Sequence, residues 1–163
     1  MKYDKETVEK TRRKYEKSKE YSIQLKEKNE KNILGAYSNL FENLDTYKNM
    51  ILPSKIPFII SLSKKVIKSR FENVEKKVKK CISKNEMADK NCEMTKYVLD
   101  KLEASPTLSL SLEDAFHIAG QMDKHARFLS KPLDVILDLK EQKPVYYNIR
   151  KNLIDALKEQ SIL

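Results

Sequence analysis

Glycine occurs only twice in the 163 residues, at Gly35 and Gly120, and tryptophan does not occur at all. So few glycines leave few positions for tight turns with φ > 0. That excludes a hairpin-rich β fold and the glycine-rich loops that cradle phosphate. The five prolines all fall between Pro53 and Pro144. No run of about 18 apolar residues exists, so no transmembrane helix is predicted. The longest apolar clusters, Ile56–Ile60 and Leu133–Leu139, are short and interrupted. Charge begins at Lys2, which predicts no secretory signal peptide. The compartment is left open, with an intracellular protein slightly favoured over an exported mature chain.

Cysteine is also scarce. Cys81 and Cys92 flank a predicted turn between helices. A disulfide there would staple a helical hairpin and suit an exported protein. The alternative is a pair of reduced, half-buried thiols.

What remains is rich in lysine, glutamate and leucine, the composition of helices joined by short connections. A compact chain of this length buries roughly 70% of its unfolded surface and needs neither metal nor disulfide to form a core. The expected fold is all-α: an antiparallel helical bundle of about five to six helices with a long basic N-terminal helix or arm. The expected division is residues 1–32 as that arm and 33–163 as the bundle domain.

Residues 4–32 read as a helix by propensity, but their apolar content is thin. Val8, Tyr15 and Leu25 fall near heptad spacing, without the sustained seam of a coiled coil. Residues 33–51 are clearer. Ile33, Tyr37, Leu40, Leu44, Tyr47 and Ile51 recur at three- and four-residue steps and demand burial. Pro53 and Pro57 end that helix. Residues 58–82 form the next, with Ile60, Ile67, Phe71, Val74, Val78, Cys81 and Ile82 on one arc. Ser83–Asn85 reads as a stop before a shorter helix over 86–103, which aligns Met87, Met94, Val98 and Leu102.

Ala104–Leu110 reads as a connection broken by Pro106. Ser111 and Asp114 form a capping-box variant that starts a helix, with Glu113 favouring its N-terminal dipole. The expected buried face of that helix is Leu112, Ala115, Phe116, Ala119, Met122, Ala126 and Leu129. A short helix after Pro132 and a last one from Pro144 follow, the latter burying Tyr146 or Tyr147, Ile149, Leu153, Ile154 and Leu157.

The net charge of +9 is uneven. Residues 64–84 hold nine basic and two acidic side chains, whereas residues 85–163 hold eleven basic and thirteen acidic. Lys64, Lys65, Lys68, Lys76, Lys77, Lys79, Lys80 and Lys84 are therefore the candidate polyanion-binding residues, for nucleic acid or sulfated glycan. Lysine-dominated contacts would track a backbone and would not read a base sequence. The structural alternative is a solvated outer face.

Few residues suggest chemistry. His117 and His125 are eight residues apart, about 12 Å along a helix, which is too far for two ligands of one metal. Both fall on the polar side of their helix and read as surface histidines. Asp114 and His117 have the acid-x-x-His spacing of di-metal bundles, but no second copy occurs. Phe116–Gly120, and His125 ahead of Lys131-Pro132-Leu133, each resemble part of a phosphorelay histidine motif. The first is one residue short and lacks the phosphate-holding lysine; the second has a gap two residues too long. Both departures strike the catalytic geometry, so no family is assigned.

No cofactor, metal site or catalytic set is expected. The leading expectation is a non-enzymatic interaction protein that binds another protein through exposed helix faces. Residues 1–32 could complete their packing on a partner or on a second copy. Polyanion binding through 64–84 stands second, and an exported protein acting on a host factor third.

Overall fold

The computed structural model describes residues 5–104, 111–139 and 143–163, Leu129 by its backbone alone. Within them the fold is all-α. There are five α-helices: α1 (Lys5–Thr46), α2 (Pro57–Ala104), α3 (Leu112–Leu129), α4 (Leu133–Asp138) and α5 (Pro144–Glu159). The expected connection through Pro106 lies outside the described residues. No described helix is long and apolar enough to cross a membrane.

Two expected helix boundaries are absent. α1 runs unbroken for 42 residues through the junction at 32/33. α2 runs for 48 residues through Ser83–Asn85. Ser and Asn are indifferent helix formers and Lys a good one, and none removes a backbone donor or clashes with the preceding turn as proline would. At this point Asn85 accepts a hydrogen bond from buried Asn29, at 2.7 Å. A polar residue that looks like a stop is thus a buried contact.

Proline acts as expected at the bend. α1 passes into a wide π turn, Tyr47–Ile51, and a 3-10 turn, Leu52–Ser54. Lys55 then adopts φ 55°, and Pro57 opens α2.

The continuity of α2 also decides between the two readings of the cysteines, against the disulfide and for reduced thiols. Cys81 and Cys92 lie eleven residues apart on one helix, where the rise alone separates them by about 16 Å. A disulfide spans at most about 7 Å between Cα atoms, and neither residue is disulfide-bonded. Cys81 is buried and Cys92 half-buried.

Residue contacts group the chain into two units. One unit comprises residues 1–29 with 82–131, the other residues 30–81 with 132–163.

In the second unit the sequence pattern is realised closely. Ile33, Tyr37, Leu40 and Leu44 of α1, and Tyr47 of the π turn, are at most 1% exposed. They belong to a core with Ile67, Phe71 and Val78 of α2, Ile136 and Leu137 of α4, and Tyr146, Leu153 and Leu157 of α5. Tyr146, not Tyr147, is the buried tyrosine, and burial pushes its phenol up to about 12. The Tyr37 hydroxyl donates to Glu75 at 3.2 Å, and Arg150 pairs with Glu75 at 2.7 Å. Arg70 adds a bond to Asn43.

The last helix ends on a Schellman motif. The Ile162 N–H reaches the Leu157 carbonyl, and the Ser161 N–H reaches that of Lys158. Ser161 takes the left-handed position usually given to glycine, at φ 56°.

In the first unit the packing is more polar. The inward positions of α1 recur in strict three- and four-residue steps: Val8, Thr11, Tyr15, Ser18, Ser22, Leu25 and Asn29 are buried or half-buried. Small hydroxyl and amide side chains fill the gaps between apolar ones, so hydropathy alone hides the stripe. Ser22 donates to Asp89 at 2.6 Å, Lys26 pairs with the same carboxylate at 2.7 Å, and Arg12 reaches Glu103 at 2.8 Å. These bonds set the strand of helix before residue 30 antiparallel to α2 after residue 82. The stripe expected to await a partner or a second copy is covered by α2 of the same chain.

Candidate functional site

α3 begins as its sequence predicts. Ser111 Oγ accepts the Asp114 backbone N–H at 3.2 Å, and Asp114 Oδ2 accepts the Ser111 N–H at 2.9 Å. The carboxylate then reaches beyond the cap. Its Oδ1 accepts the Tyr97 hydroxyl at 2.5 Å and lies 3.2 Å from Lys101 Nζ. These donors, Tyr97 first and Ser111 next, hold the Asp114 carboxyl far below the ordinary carboxylate range. The Tyr97 ring stacks on His117, with centroids 4.2 Å apart. One turn further on, Gln121 Oε1 meets Lys90 Nζ at 3.5 Å. His125 follows, with both ring nitrogens buried and no hydrogen-bond partner among the described residues.

Asp114, Gln121 and His125 recur at steps of seven and four and lie on one side of α3. That polar side faces α2. The expected buried face is turned to solvent, a correction of the sequence reading: Leu112 is 75% exposed, Phe116 68% and Met122 63%. Ala115, Ala119 and Ala126 are exposed with them, whereas Ile118 and Phe128 are half-buried. Leu129, also expected on that face, has no described side chain. The surface placing of the histidines holds for His117 and fails for His125.

The physical reason lies in α2. Tyr97, Lys101 and Lys90 present polar groups toward α3, and these need acceptors more than the α3 apolar stripe needs cover. A buried polar group left unpaired costs roughly 1–3 kcal/mol. Met87, expected on the α2 core arc, is likewise 58% exposed, and Ala88 is buried in its place.

A cavity of about 710 Å³ opens within this first unit. Tyr21, Leu25 and Lys28 of α1, Lys84, Met87, Ala88, Lys90, Asn91 and Met94 of α2, and Gln121, Met122 and His125 of α3 line it. Sequence reasoning missed it because its walls come from three helices, and three of its methionines each read as core. The one available signal was the excess of methionine among residues 87–122.

The candidate polyanion residues lie where predicted, on the outside of α2. Lys65, Lys68, Lys76, Lys77, Lys80 and Lys84 are exposed; Lys64 and Lys79 are half-buried. No described carboxylate forms an ion pair with the six exposed ones. At 100° per residue, these six spread over roughly 180° of the helix circumference. They form a broad solvated surface and no narrow stripe.

A second apolar surface lies in the other unit at the bend between α1 and α2, where Met50 is 70% exposed, Phe58 74% and Leu62 51%. Among the described residues, no three His, Cys, Asp or Glu side chains converge on a point where a metal could bind. Burial raises the Cys92 thiol above its ordinary value, which disfavours the reactive thiolate.

The chain matches no protein-family model, no curated protein and no solved structure.

Proposed function

We propose that this chain is a non-enzymatic interaction protein, an antiparallel helical bundle that binds a helix of another protein on the outer face of α3. The observation that carries the reading is the outward placing of Leu112, Phe116 and Met122 on a helix whose polar side is docked. Side chains of this size contribute roughly 1.5–3 kcal/mol each when fully buried. Here that contribution is unrealised within the chain. Ala115, Ala119 and Ala126 lie between the large residues on the same face. Small residues at such spacing let a second helix approach closely, and the large ones insert beside it. Asp123 falls within this face, between Leu112 and Phe116 at 100° per residue, and pairs with Arg127 at 2.9 Å, so the face carries one neutralised ion pair among its apolar side chains.

The test is site-specific photocrosslinking from position 116, with position 159 on α5 as the control. A discrete adduct from 116 alone identifies a partner, which is then purified. That partner should bind the wild-type chain and lose about 2 kcal/mol, roughly 30-fold, with Phe116→Glu. Equal crosslinking from both positions, or equal binding by the variant, refutes the reading.

A second reading, polyanion binding through α2, has its own observation: six exposed lysines without acidic partners among the described residues. Retention on a heparin column should then fall steeply with salt and be lost on reversal of Lys76, Lys77 and Lys80. Equal retention of the variant returns those lysines to a solvated surface.

A further inference from the structure

The first unit's cavity combines three properties that the helix-binding reading does not use. Its body is apolar and adaptable: Leu25, Met87, Met94 and Met122 line it, and methionine fills irregular shapes by rotating about several bonds. Its cationic groups exceed what the protein pairs. Lys90 is committed to Glu93 at 3.2 Å, whereas Lys28 and Lys84 have no anionic partner among the described residues. Nearby Asp89 is already held by Ser22 and Lys26, and the half-buried Glu86 carboxyl, raised above its ordinary value by burial, is close enough to Lys90 and His125 to interact with both. Finally, His125 lines the cavity with both ring nitrogens buried and unpartnered. Imidazole in either protonation state carries at least one N–H donor.

The volume, about 710 Å³, lies within the roughly 300–1,000 Å³ common for small-molecule sites. An occupant suited to these walls has a flexible, unbranched apolar body and a single anionic head. A cation is disfavoured by the lysines. A nucleotide or phosphate ester would find no arginine fork and no glycine-rich loop.

We infer that this cavity binds a medium-chain carboxylate, a free fatty acid whose alkyl chain lies among the methionines and whose carboxylate is held by Lys28 and Lys84. Complementarity of charge and shape selects the ligand. The inference stands apart from the helix-binding reading, although Met122 borders both surfaces. Phe116→Glu, which removes only the outer face, should leave fatty-acid binding unchanged.

The experiment is titration calorimetry of the full chain at pH 7.4 with decanoate, decanol and decyltrimethylammonium, each below its micellar concentration. Decanoate should bind at one site per chain, at least tenfold more tightly than decanol, and the ammonium should not bind. Octanoate should be weaker than decanoate by about 16-fold, since each buried methylene contributes about fourfold. The double variant Lys28→Glu, Lys84→Glu should weaken decanoate at least tenfold and leave decanol unaffected. Met94→Trp should block both, and its indole, alone in a chain without tryptophan, reports whether that variant is folded. If Met94→Trp unfolds, displacement of a dansyl undecanoate probe from wild type and the lysine variant decides the matter. No decanoate binding up to millimolar concentration, equal affinity for decanoate and decanol, or an unchanged lysine variant overturns the inference.

Discussion

Asp114 and Phe116 stand two residues apart on α3 and face opposite ways, the aspartate 5% exposed and the phenylalanine 68%. A helix of this composition ordinarily shows the reverse order of burial. The inversion follows from the Tyr97 hydroxyl and the Lys101 ammonium, which engage the carboxylate from α2. It leaves on the outside an apolar stripe interrupted by the Asp123–Arg127 pair.

The outer stripe should matter little to the isolated chain. Leu112→Lys and Phe116→Glu are expected to change unfolding free energy by no more than about 0.5 kcal/mol, the usual range for exposed positions. Ser111→Ala, which removes the cap, should cost about 1 kcal/mol. Urea midpoints of the three variants give the comparison. A loss of several kcal/mol on Phe116→Glu would place that ring in the core.

Acid should weaken the anchoring of α3. The folded-state Asp114 carboxyl titrates below the ordinary value of 3.8. Its contribution is therefore present in full above the unfolded value and is lost as pH falls from about 4 through the lower folded value. Asp114→Asn should be less stable than wild type at pH 6, and the two curves should converge towards pH 2. Tyr97→Phe should shrink the difference, because the phenol is the largest cause of the shift. A pH-independent gap would refute this origin.

The Tyr37–Glu75–Arg150 cluster should be costly to break on one side only. Glu75 and Arg150 side chains are 17% and 18% exposed. Glu75→Ala leaves the guanidinium without its anion and is expected to cost about 3 kcal/mol, with Glu75→Leu, Arg150→Met costing markedly less. A double-mutant cycle in urea measures the coupling. Additive losses would show that the pair does not interact.

Ser161 offers a stabilising change. It holds a left-handed conformation in which Cβ is crowded, while its neighbours complete the Schellman hydrogen bonds. Ser161→Gly should raise stability by about 1 kcal/mol. Thermal denaturation checks the sign, and a decrease would mean that the serine side chain has a favourable role of its own.

Thiol chemistry should follow burial. Two thiols per chain should titrate in denaturant, and in the native protein Cys92 should react before Cys81, because it is the more exposed. Both should react slowly, and reductant should leave the melting temperature unchanged. A shift with reductant would require a disulfide between chains, since the α2 rise forbids one within a chain.

The amino-acid sequence alone determined the all-α class, the bend at Pro53 and Pro57, the capping box at Ser111 and the inward stripe Ile33–Tyr47. Each depends on local chemistry: backbone donors removed by proline, a hydroxyl beside free N–H groups, apolar side chains at a helical period. It misplaced features whose outcome depends on a neighbour. Ser83–Asn85 reads as a stop until Asn29 is seen beside Asn85. Only the tertiary structure decided which side of α3 is buried, because polar groups on α2 set that choice against the helix's own apolar pattern. The same arrangement assembled a cavity from three helices, none of which carries its chemistry alone.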